Sequence, residues 1–129
     1  MNQPKSGAVL FAKDLARVSK FYEELLDLSL MVIDGEKIVL ESAEFLLVVH
    51  AVPPEVAASL SLTSPPELRT NVAMKLFFPV ASLMEARAQA PALGGALYPS
   101  HKEWGGRGFR ACDGYDPKGN IVQFRENAS

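Results

Sequence analysis

The sequence has little sulfur, little net charge and no long apolar run. Cys112 is the only cysteine among 129 residues, so no disulfide can form within one chain, which suits a reducing cytoplasm. The formal net charge of −2 gives no general attraction to nucleic acids or acidic membranes. No apolar run approaches the roughly 20 residues of a membrane helix, and none follows Lys5 to form a secretory signal. We therefore expect a cytoplasmic protein whose partners include neither nucleic acid nor a membrane.

Apolar residues are abundant enough for a packed core. Hydrophobic residues make up 48% of the chain, which argues against the disordered class. A length of 129 residues suits a single compact domain that folds without disulfide cross-links. The sequence therefore predicts one domain over residues 1–129.

The first half begins with a predicted strand and helix. Ala8 to Ala12 is apolar and long enough for a buried strand. Asp14 stands where a helix cap is needed, and Lys20 and Glu24 form a charged pair on the exposed side. The apolar face of this helix repeats every three or four residues: Leu15, Val18, Phe21, Tyr22 and Leu25.

Three further strands are predicted after this helix. Leu28 to Ile33 and Lys37 to Glu41 flank Asp34-Gly35, which is a strong hairpin signal. Phe45 to Val52 is apolar on both faces, so we expect it inside the sheet.

The second half repeats the same order of elements. Val72 to Phe78 is predicted as a strand, and Ser82 with Glu85 forms a capping box for a helix that Gly94-Gly95 ends. Residues 116–120, Asp-Pro-Lys-Gly-Asn, predict a turn stabilised by the aspartate. The remaining strand candidates are Ala96 to Pro99, Gly108 to Cys112 and Ile121 to Arg125.

The two halves share one register. The predicted caps Asp14 and Ser82 lie 68 positions apart, and so do the predicted helix ends Leu25 and Leu93. A common offset of this kind indicates a duplicated unit. We expect module one at about 7–52, a connector at 53–70 in which Glu55 to Leu62 forms a short helix or an extended cover, and module two at about 71–126.

Two stretches carry a family resemblance. Both resemble the vicinal oxygen chelate superfamily. The first runs from Ala12-Lys13-Asp14-Leu15 to Phe21-Tyr22-Glu23-Glu24-Leu25-Leu26. The second runs from Asp116 to Phe124 and is preceded by Trp104-Gly105. That superfamily includes glyoxalases, bleomycin resistance proteins and ring-cleaving dioxygenases. The resemblance implies an α+β fold in which two βαβββ modules form an eight-stranded, incompletely closed, barrel-like sheet around a cavity. It also implies a homodimer.

The resemblance further implies where metal ligands would lie. Metal-dependent members use His, Gln or Glu at positions that correspond to Gly7, Lys75 and Gln123, with a fourth at Leu47 by the repeat or at His50 by its chemistry. Glycine has no ligand atom, and a lysine ammonium has no lone pair. One amide oxygen with one imidazole is not a transition-metal site. We therefore expect no metal and no other cofactor.

Three polar residues remain candidates for ligand binding. Lys75, on the predicted strand face of Phe77, would favour an anionic ligand, or it extends to solvent or pairs with a carboxylate. Gln123 would bond a ligand amide or carbonyl, or it satisfies Lys75 or a backbone group. His50 is either a ligand anchor and general base or a histidine of the core.

The segment His101 to Arg107 is predicted as a flexible loop with further candidates. Trp104 is placed to stack on a flat or cationic ligand, or to pack over the sheet edge. Arg107 and Arg110 are candidates to hold a carboxylate or phosphate. Asp113 precedes the turn and is expected to fix its geometry.

These residues favour a metal-independent protein that binds a modest anionic or aromatic small molecule in the cup. The alternative is a metal-dependent lyase, isomerase or ring-cleaving dioxygenase that uses Ni, Zn, Mn or Fe and unusual ligands such as His50 and His101. A third possibility is an interaction module whose cavity is filled by its own side chains, such as Phe11, Phe77 and Ile121. Fold alone does not decide among them.

Overall fold

The computed structural model describes residues 4–53, 55 and 65–128. The chain divides into two compact units, Met1–Ser61 (unit 1) and Leu62–Ser129 (unit 2). The division falls within the predicted connector. The short helix or extended cover expected at residues 55–62 lies, except for residue 55, outside the described residues.

Unit 1 has the predicted βαβββ order. Its sheet has the strand order β1-β4-β3-β2, with β1 parallel to β4 and the other neighbours antiparallel. The segment that is apolar on both faces is an interior strand, as predicted. The elements are β1 (Ser6–Ala12), α1 (Leu15–Leu25), β2 (Ser29–Ile33), β3 (Lys37–Glu41) and β4 (Phe45–Ala51).

Local chemistry sets the start and the inner face of α1. The Asp14 carboxylate accepts a hydrogen bond from the backbone N–H of Arg17 at 3.1 Å, which confirms the predicted cap. Lys20 and Glu24 lie on the solvent side, with Nζ and Oε2 3.8 Å apart. The helix packs on β3 and β4, and removing these apolar side chains from water stabilises the unit. The buried set comprises Val18, Phe21, Tyr22 and Leu25 of the helix and Leu40, Leu47 and Val49 of the sheet.

Unit 2 repeats the strand–helix–strands order with one additional short strand. Its sheet has the strand order β5-β9-β8-β6, and β5 runs parallel to β9. The short strand β7 also pairs with β8, in the antiparallel direction. A 3₁₀ turn, Ala90–Leu93, extends the helix, and a second, Ser100–Lys102, precedes β7. The elements are β5 (Leu76–Pro79), α2 (Leu83–Gln89), β6 (Ala96–Leu97), β7 (Trp104–Gly105), β8 (Phe109–Tyr115) and β9 (Ile121–Asn127).

The predicted helix cap at Ser82 and the predicted turns of unit 2 are confirmed, whereas the reciprocal bond of a capping box, from the backbone N–H of Ser82 to the Glu85 side chain, is not among the contacts of the described residues. The Ser82 hydroxyl accepts from the backbone N–H of Glu85 at 3.1 Å, and Gly94 ends the 3₁₀ turn in the left-handed region with φ 90°. The buried Asp116 carboxylate accepts from the backbone N–H groups of Lys118 at 2.9 Å and Asn120 at 3.0 Å. This side chain therefore stabilises the turn before β9.

Several boundaries in unit 2 differ from the prediction: β6 ends at Leu97 instead of Pro99, and β8 and β9 continue to Tyr115 and Asn127 instead of Cys112 and Arg125. The strand expected at Val72 to Phe78 begins only at Leu76, because its parallel partner β9 begins at Ile121 and the residues before Ile121 form the turn. The loop expected at His101 to Arg107 contains β7, since the backbone N–H of Gly106 donates to the carbonyl of Phe109 at 2.9 Å and closes a short hairpin.

The α+β class is confirmed, and both units begin with a strand and a helix that further strands follow. The nine strands of the described residues lie in two hydrogen-bonded sheets of four and five strands. The closure of eight strands into one sheet around a cavity stays a prediction. Among the described residues, the helices are too short or too polar to cross a membrane.

Candidate functional site

The sheet of unit 2 has one covered face and one open face. Alternation along β9 directs Val122 and Phe124 to the side of α2, where both are buried. Gln123 and Arg125 point to the opposite side, which we call the open face of the second sheet; on this face Gln123 itself is buried by its neighbours, whereas Arg125 is half-buried. The strand register places Phe77 beside Gln123 on one flank and Asp113 beside it on the other. The open face therefore collects side chains from β5, β8 and β9.

Four side chains form a hydrogen-bonded polar row across this face. Lys75 Nζ donates to Asp113 Oδ2 at 2.8 Å. Gln123 Nε2 donates to Asp113 Oδ1 at 3.3 Å, and Arg125 Nε donates to Gln123 Oε1 at 2.7 Å. A carboxylate only accepts and a guanidinium only donates, so the amide of Gln123 has one orientation that satisfies both neighbours. The row holds two positive charges and one negative charge.

The row shows the contacts of two predicted residues, and one of them differs from the expectation. Asp113 was expected to fix the following turn, but its carboxylate bonds Lys75 and Gln123 because strand alternation directs it to the open face. Of the alternatives given for Lys75, the structure shows the pairing with a carboxylate, while 45% of the Lys75 side chain remains exposed. The anion that it would attract is thus already supplied by the protein.

Aromatic rings surround the Arg125 end of the row. The guanidinium carbon lies 3.7 Å from the ring centroid of Phe77 and 4.1 Å from that of Phe109. Trp104 meets Phe109 edge-on, with the ring centroids 5.5 Å apart. Phe77 is 56% exposed and Trp104 is 45% exposed. These rings combine a fixed cation with apolar surface that a planar ligand can cover.

Glu103, the residue before β7, links that strand to α2 and to β8 through hydrogen bonds of its side chain. Its carboxylate accepts from Arg87 Nη2 and, at 2.8 Å, from Arg110 Nε, while Arg87 Nε also donates to the carbonyl of Tyr98 at 2.8 Å. The hydrogen bond from Arg110 and that from Arg87 hold the pKa of the Glu103 carboxyl below its usual range, although partial burial opposes them. This cluster of charges fixes the position of β7.

Glu103→Gln is expected to destabilise the protein by about 2 kcal/mol at pH 7, because it removes charge-assisted hydrogen bonds from a side chain that is 11% exposed. The folded-state pKa of Glu103 is depressed, so its contribution is present above the unfolded value of about 4.3 and is lost as the pH falls through the lower folded value. Urea unfolding of both proteins at neutral pH and near pH 3 measures this difference. Glu24→Gln, which breaks the exposed pair with Lys20, is the control and should cost roughly 0.3 kcal/mol. A Glu103→Gln deficit of equal size at both pH values would contradict the assignment.

Arg110 and Arg107, both predicted to hold an anion, are not part of the polar row. By alternation along β8, the Arg110 side chain lies on the same face as Cys112, which is the face covered by α2. There it donates a hydrogen bond to Glu103. Arg107 is exposed, and it forms no ion pair with any carboxylate that the structure describes.

The histidine candidate lies on the open face of the sheet of unit 1. His50 Nδ1 is 2.8 Å from the carbonyl oxygen of Ala51, so in the neutral ring the hydrogen is on Nδ1 and the lone pair on Nε2. Its ring stacks at a tilt on Phe11, with centroids 5.7 Å apart. Leu47, proposed by the repeat as a ligand position, is fully buried on the covered face. The register pairs Gly7 with Leu46, one residue away from the predicted phase.

The residues at the implied ligand positions do not fit a divalent metal. In unit 2 these are the ammonium of Lys75, which has no lone pair, and Gln123, whose amide oxygen already accepts from Arg125. In unit 1, Gly7 and its neighbour Leu46 offer no side-chain donor. Across residues 4–53, 55 and 65–128, no three His, Cys, Asp or Glu side chains come together as a metal site.

Solved structures of other proteins share this arrangement of helices and strands. A glyoxalase/bleomycin resistance protein/dioxygenase family enzyme from Burkholderia phytofirmans PsJN matches with a TM-score of 0.65 and 18% identity, over 95% of this chain and 97% of that one. A glyoxalase/bleomycin resistance protein from Albidiferax ferrireducens T118 matches with a TM-score of 0.65 and 20% identity, over 95% and 97%. The chain has the vicinal oxygen chelate fold.

A third structure of this fold contains a metal ion. The E126Q mutant of the fosfomycin resistance protein FosX from Listeria monocytogenes, complexed with Mn(II) and 1S,2S-dihydroxypropylphosphonic acid, matches with a TM-score of 0.65 and 16% identity, over 96% of this chain and 90% of that one. No protein-family model and no curated protein matches the sequence. At these identities the likeness shows the vicinal oxygen chelate fold, and the activity has to be argued from the site.

Some of the predicted residues come together and others were missed. Lys75 and Gln123 join the polar row, with Phe77 and, through Phe109, Trp104 beside it. Sequence reasoning missed Arg125 and Phe109. The spacing of two between Gln123 and Arg125 on one strand was the available signal.

Proposed function

We propose that this protein binds a small organic molecule on the open face of the second sheet and does so without a metal. The observation that supports it is the polar row of Lys75, Asp113, Gln123 and Arg125 beside exposed aromatic rings. Two residues of this row stand at the positions that the fold family uses for metal ligands. Because both residues are hydrogen-bonded to protein side chains, we propose that this face binds an organic molecule and not a metal ion.

The chemistry of this face favours a modest ligand with an aromatic or anionic part. Ligand sites usually combine apolar surface with a few fixed polar groups. Phe77 and Trp104 offer the apolar surface, and Gln123 and Arg125 are held in fixed orientations by their hydrogen bonds. We further propose that the protein acts in the cytoplasm as a homodimer, on the grounds of its single cysteine and of the family resemblance.

The metal-dependent alternative has one observation in its favour. FosX, which shares the fold, is described in complex with Mn(II). In this chain the Nε2 atom of His50 is the imidazole nitrogen that the contact with Ala51 leaves available. A metal-dependent enzyme of this kind would therefore bind its ion through His50.

A thermal-shift titration with Ni²⁺, Zn²⁺, Mn²⁺ and Fe²⁺ on chelator-stripped protein separates these functions. A ligand of the native state at 100 times its dissociation constant adds roughly 2.7 kcal/mol of stability, which gives a clear shift. We expect no saturable shift with any of the four metals and a saturable shift with small aromatic or anionic compounds. A saturable metal shift that His50→Ala or His101→Ala abolishes would overturn the proposal and favour glyoxalase and dioxygenase assays.

A further inference from the structure

The guanidinium of Arg125 has a hydrogen-bond partner for its Nε and two aromatic rings against its carbon, but no anionic partner in the described part of the chain. Nε donates to Gln123, and the rings of Phe77 and Phe109 lie against the guanidinium carbon. None of the carboxylates among the described residues forms an ion pair with it. From this we propose that Arg125 is the anchor for an oxyanion, so that the ligand of the open face carries a carboxylate or phosphonate group joined to a planar apolar body.

The orientation of Arg125 is set before any ligand arrives. A guanidinium has five N–H donors in a plane, and the bond from Nε to Gln123 uses one of them. The rings on β5 and β8 flank the strand that carries Arg125, so they restrict rotation of its side chain. The four remaining N–H groups belong to the two Nη atoms, whose fork matches the two oxygens of a carboxylate or phosphonate. Less conformational entropy is lost on binding because the fork is already ordered.

The charge of the row selects an anion. Lys75 and Asp113 neutralise each other at 2.8 Å, which leaves the positive charge of Arg125 uncompensated within the row. Arg125 is half-buried between aromatic rings, where water competes less well and an ion pair is stronger than on an open surface. A cationic ligand would be repelled at the same place. A neutral ligand could accept hydrogen bonds from Arg125 but would lack the electrostatic attraction to its charge.

The surroundings of the anchor define the rest of the ligand. Phe77 and Trp104 are the exposed rings on either side of Arg125 and Phe109. A planar aromatic or unsaturated body attached to the anionic group can cover them while the group binds the Nη atoms. This inference rests on the proposed function, because it names the ligand class of the same face.

The test titrates the protein with three probes of one shape, namely benzoate, phenylphosphonate and the neutral benzamide, followed by amide chemical shifts in NMR. A probe of this size is expected to bind with a Kd of roughly 1 mM. We expect benzoate or phenylphosphonate to bind at least about tenfold more tightly than benzamide, with the affinity falling as salt is added. The preference between the two anions decides whether the class is carboxylate or phosphonate.

Two variants at the anchor and one matched control complete the test. Arg125→Gln should weaken binding of the preferred anion by at least about tenfold, and Arg125→Lys should weaken it as well, because an ammonium retains the charge and loses the fork. Arg17→Gln, which removes an exposed arginine from the surface of α1, makes the same change in net charge and should leave binding unchanged. Retained amide chemical-shift dispersion identifies the variants that are folded.

The outcomes separate the anchor from the proposed function. Benzamide binding as tight as that of both anions, or binding of the preferred anion that both Arg125 variants retain, would overturn the anchor and leave small-molecule binding in place. Absence of binding for all three probes would overturn the anchor and the proposed function together.

Discussion

Replacing Phe124 by alanine is expected to lower the free energy of unfolding by about 3–5 kcal/mol, the usual range when a buried phenylalanine leaves a cavity. Phe124 is fully buried on the covered face of the second sheet, on the interior strand β9. Neighbouring strands hold its surroundings in place, so the cavity collapses only in part. Urea denaturation gives the change in stability.

Phe77→Ala is the matched control for this prediction. The same substitution on the open face of the same sheet removes a ring that is 56% exposed, so the expected loss is below about 1 kcal/mol. Losses of similar size in the two variants would mean that the assignment of the covered and open faces is wrong. A large difference would also show that the open face can be altered in binding studies without unfolding the protein.

Gly119→Ala is expected to cost about 3 kcal/mol or more. The φ of Gly119 is 88°, in the left-handed region where a Cβ costs about 1–2 kcal/mol. A Cβ there would also overlap the backbone carbonyl of Glu67, which cannot move aside as a flexible side chain would. The displacement would break the hydrogen bond from Arg69 N to the carbonyl of Gly119, which is 2.8 Å long. Thermal unfolding measures the loss.

Gly108→Ala isolates the conformational part of that cost. Gly108 has a φ of 75°, but a Cβ added there meets no atom within 4 Å. We therefore expect a loss of about 1 kcal/mol from backbone conformation alone. If both glycine variants lose the same stability, the close approach of the segment 67–69 to the turn does not contribute.

The elements that depend on local chemistry could be predicted from the sequence. Asp14 and Ser82 cap their helices because each side chain needs only a backbone N–H three residues away. Gly94 and the turn around Asp116 are local in the same sense. None of these caps and turns depends on the pairing of neighbouring strands. The repeated order of elements and the α+β class could therefore be predicted from short sequence patterns.

The composition of the site depends on strand register, which short patterns do not specify. The start of β5 was misplaced because it is set by where β9 begins, 45 residues further along the chain (76 to 121). Arg125 meets Phe77 and Phe109 only because β5 and β8 flank β9 in one alignment. The pairing of Asp113 with Lys75 has the same origin, so a residue expected to serve the turn belongs to the open face.

The polar row also shows how the two repeats have diverged. The position 68 residues before Lys75 is Gly7, which lies beside Leu46 and carries no charge. The open face of the first sheet is aliphatic and aromatic around Val9 and Phe11, whereas that of the second sheet carries charges. Duplicated backbones of this kind can carry different surfaces, because packing constrains exposed positions less than buried ones.

The buried position of Cys112 makes the thiol a natural reporter of local opening. It is the only cysteine in the sequence, it lies on the covered face of the second sheet, and it contacts the carbonyl of Tyr98. An alkylating reagent reaches such a sulfur only when β8 separates from its surroundings, so the rate of modification follows the opening of unit 2. The native chain thus carries one chemical label site that responds to exposure of unit 2, with no engineered cysteine needed.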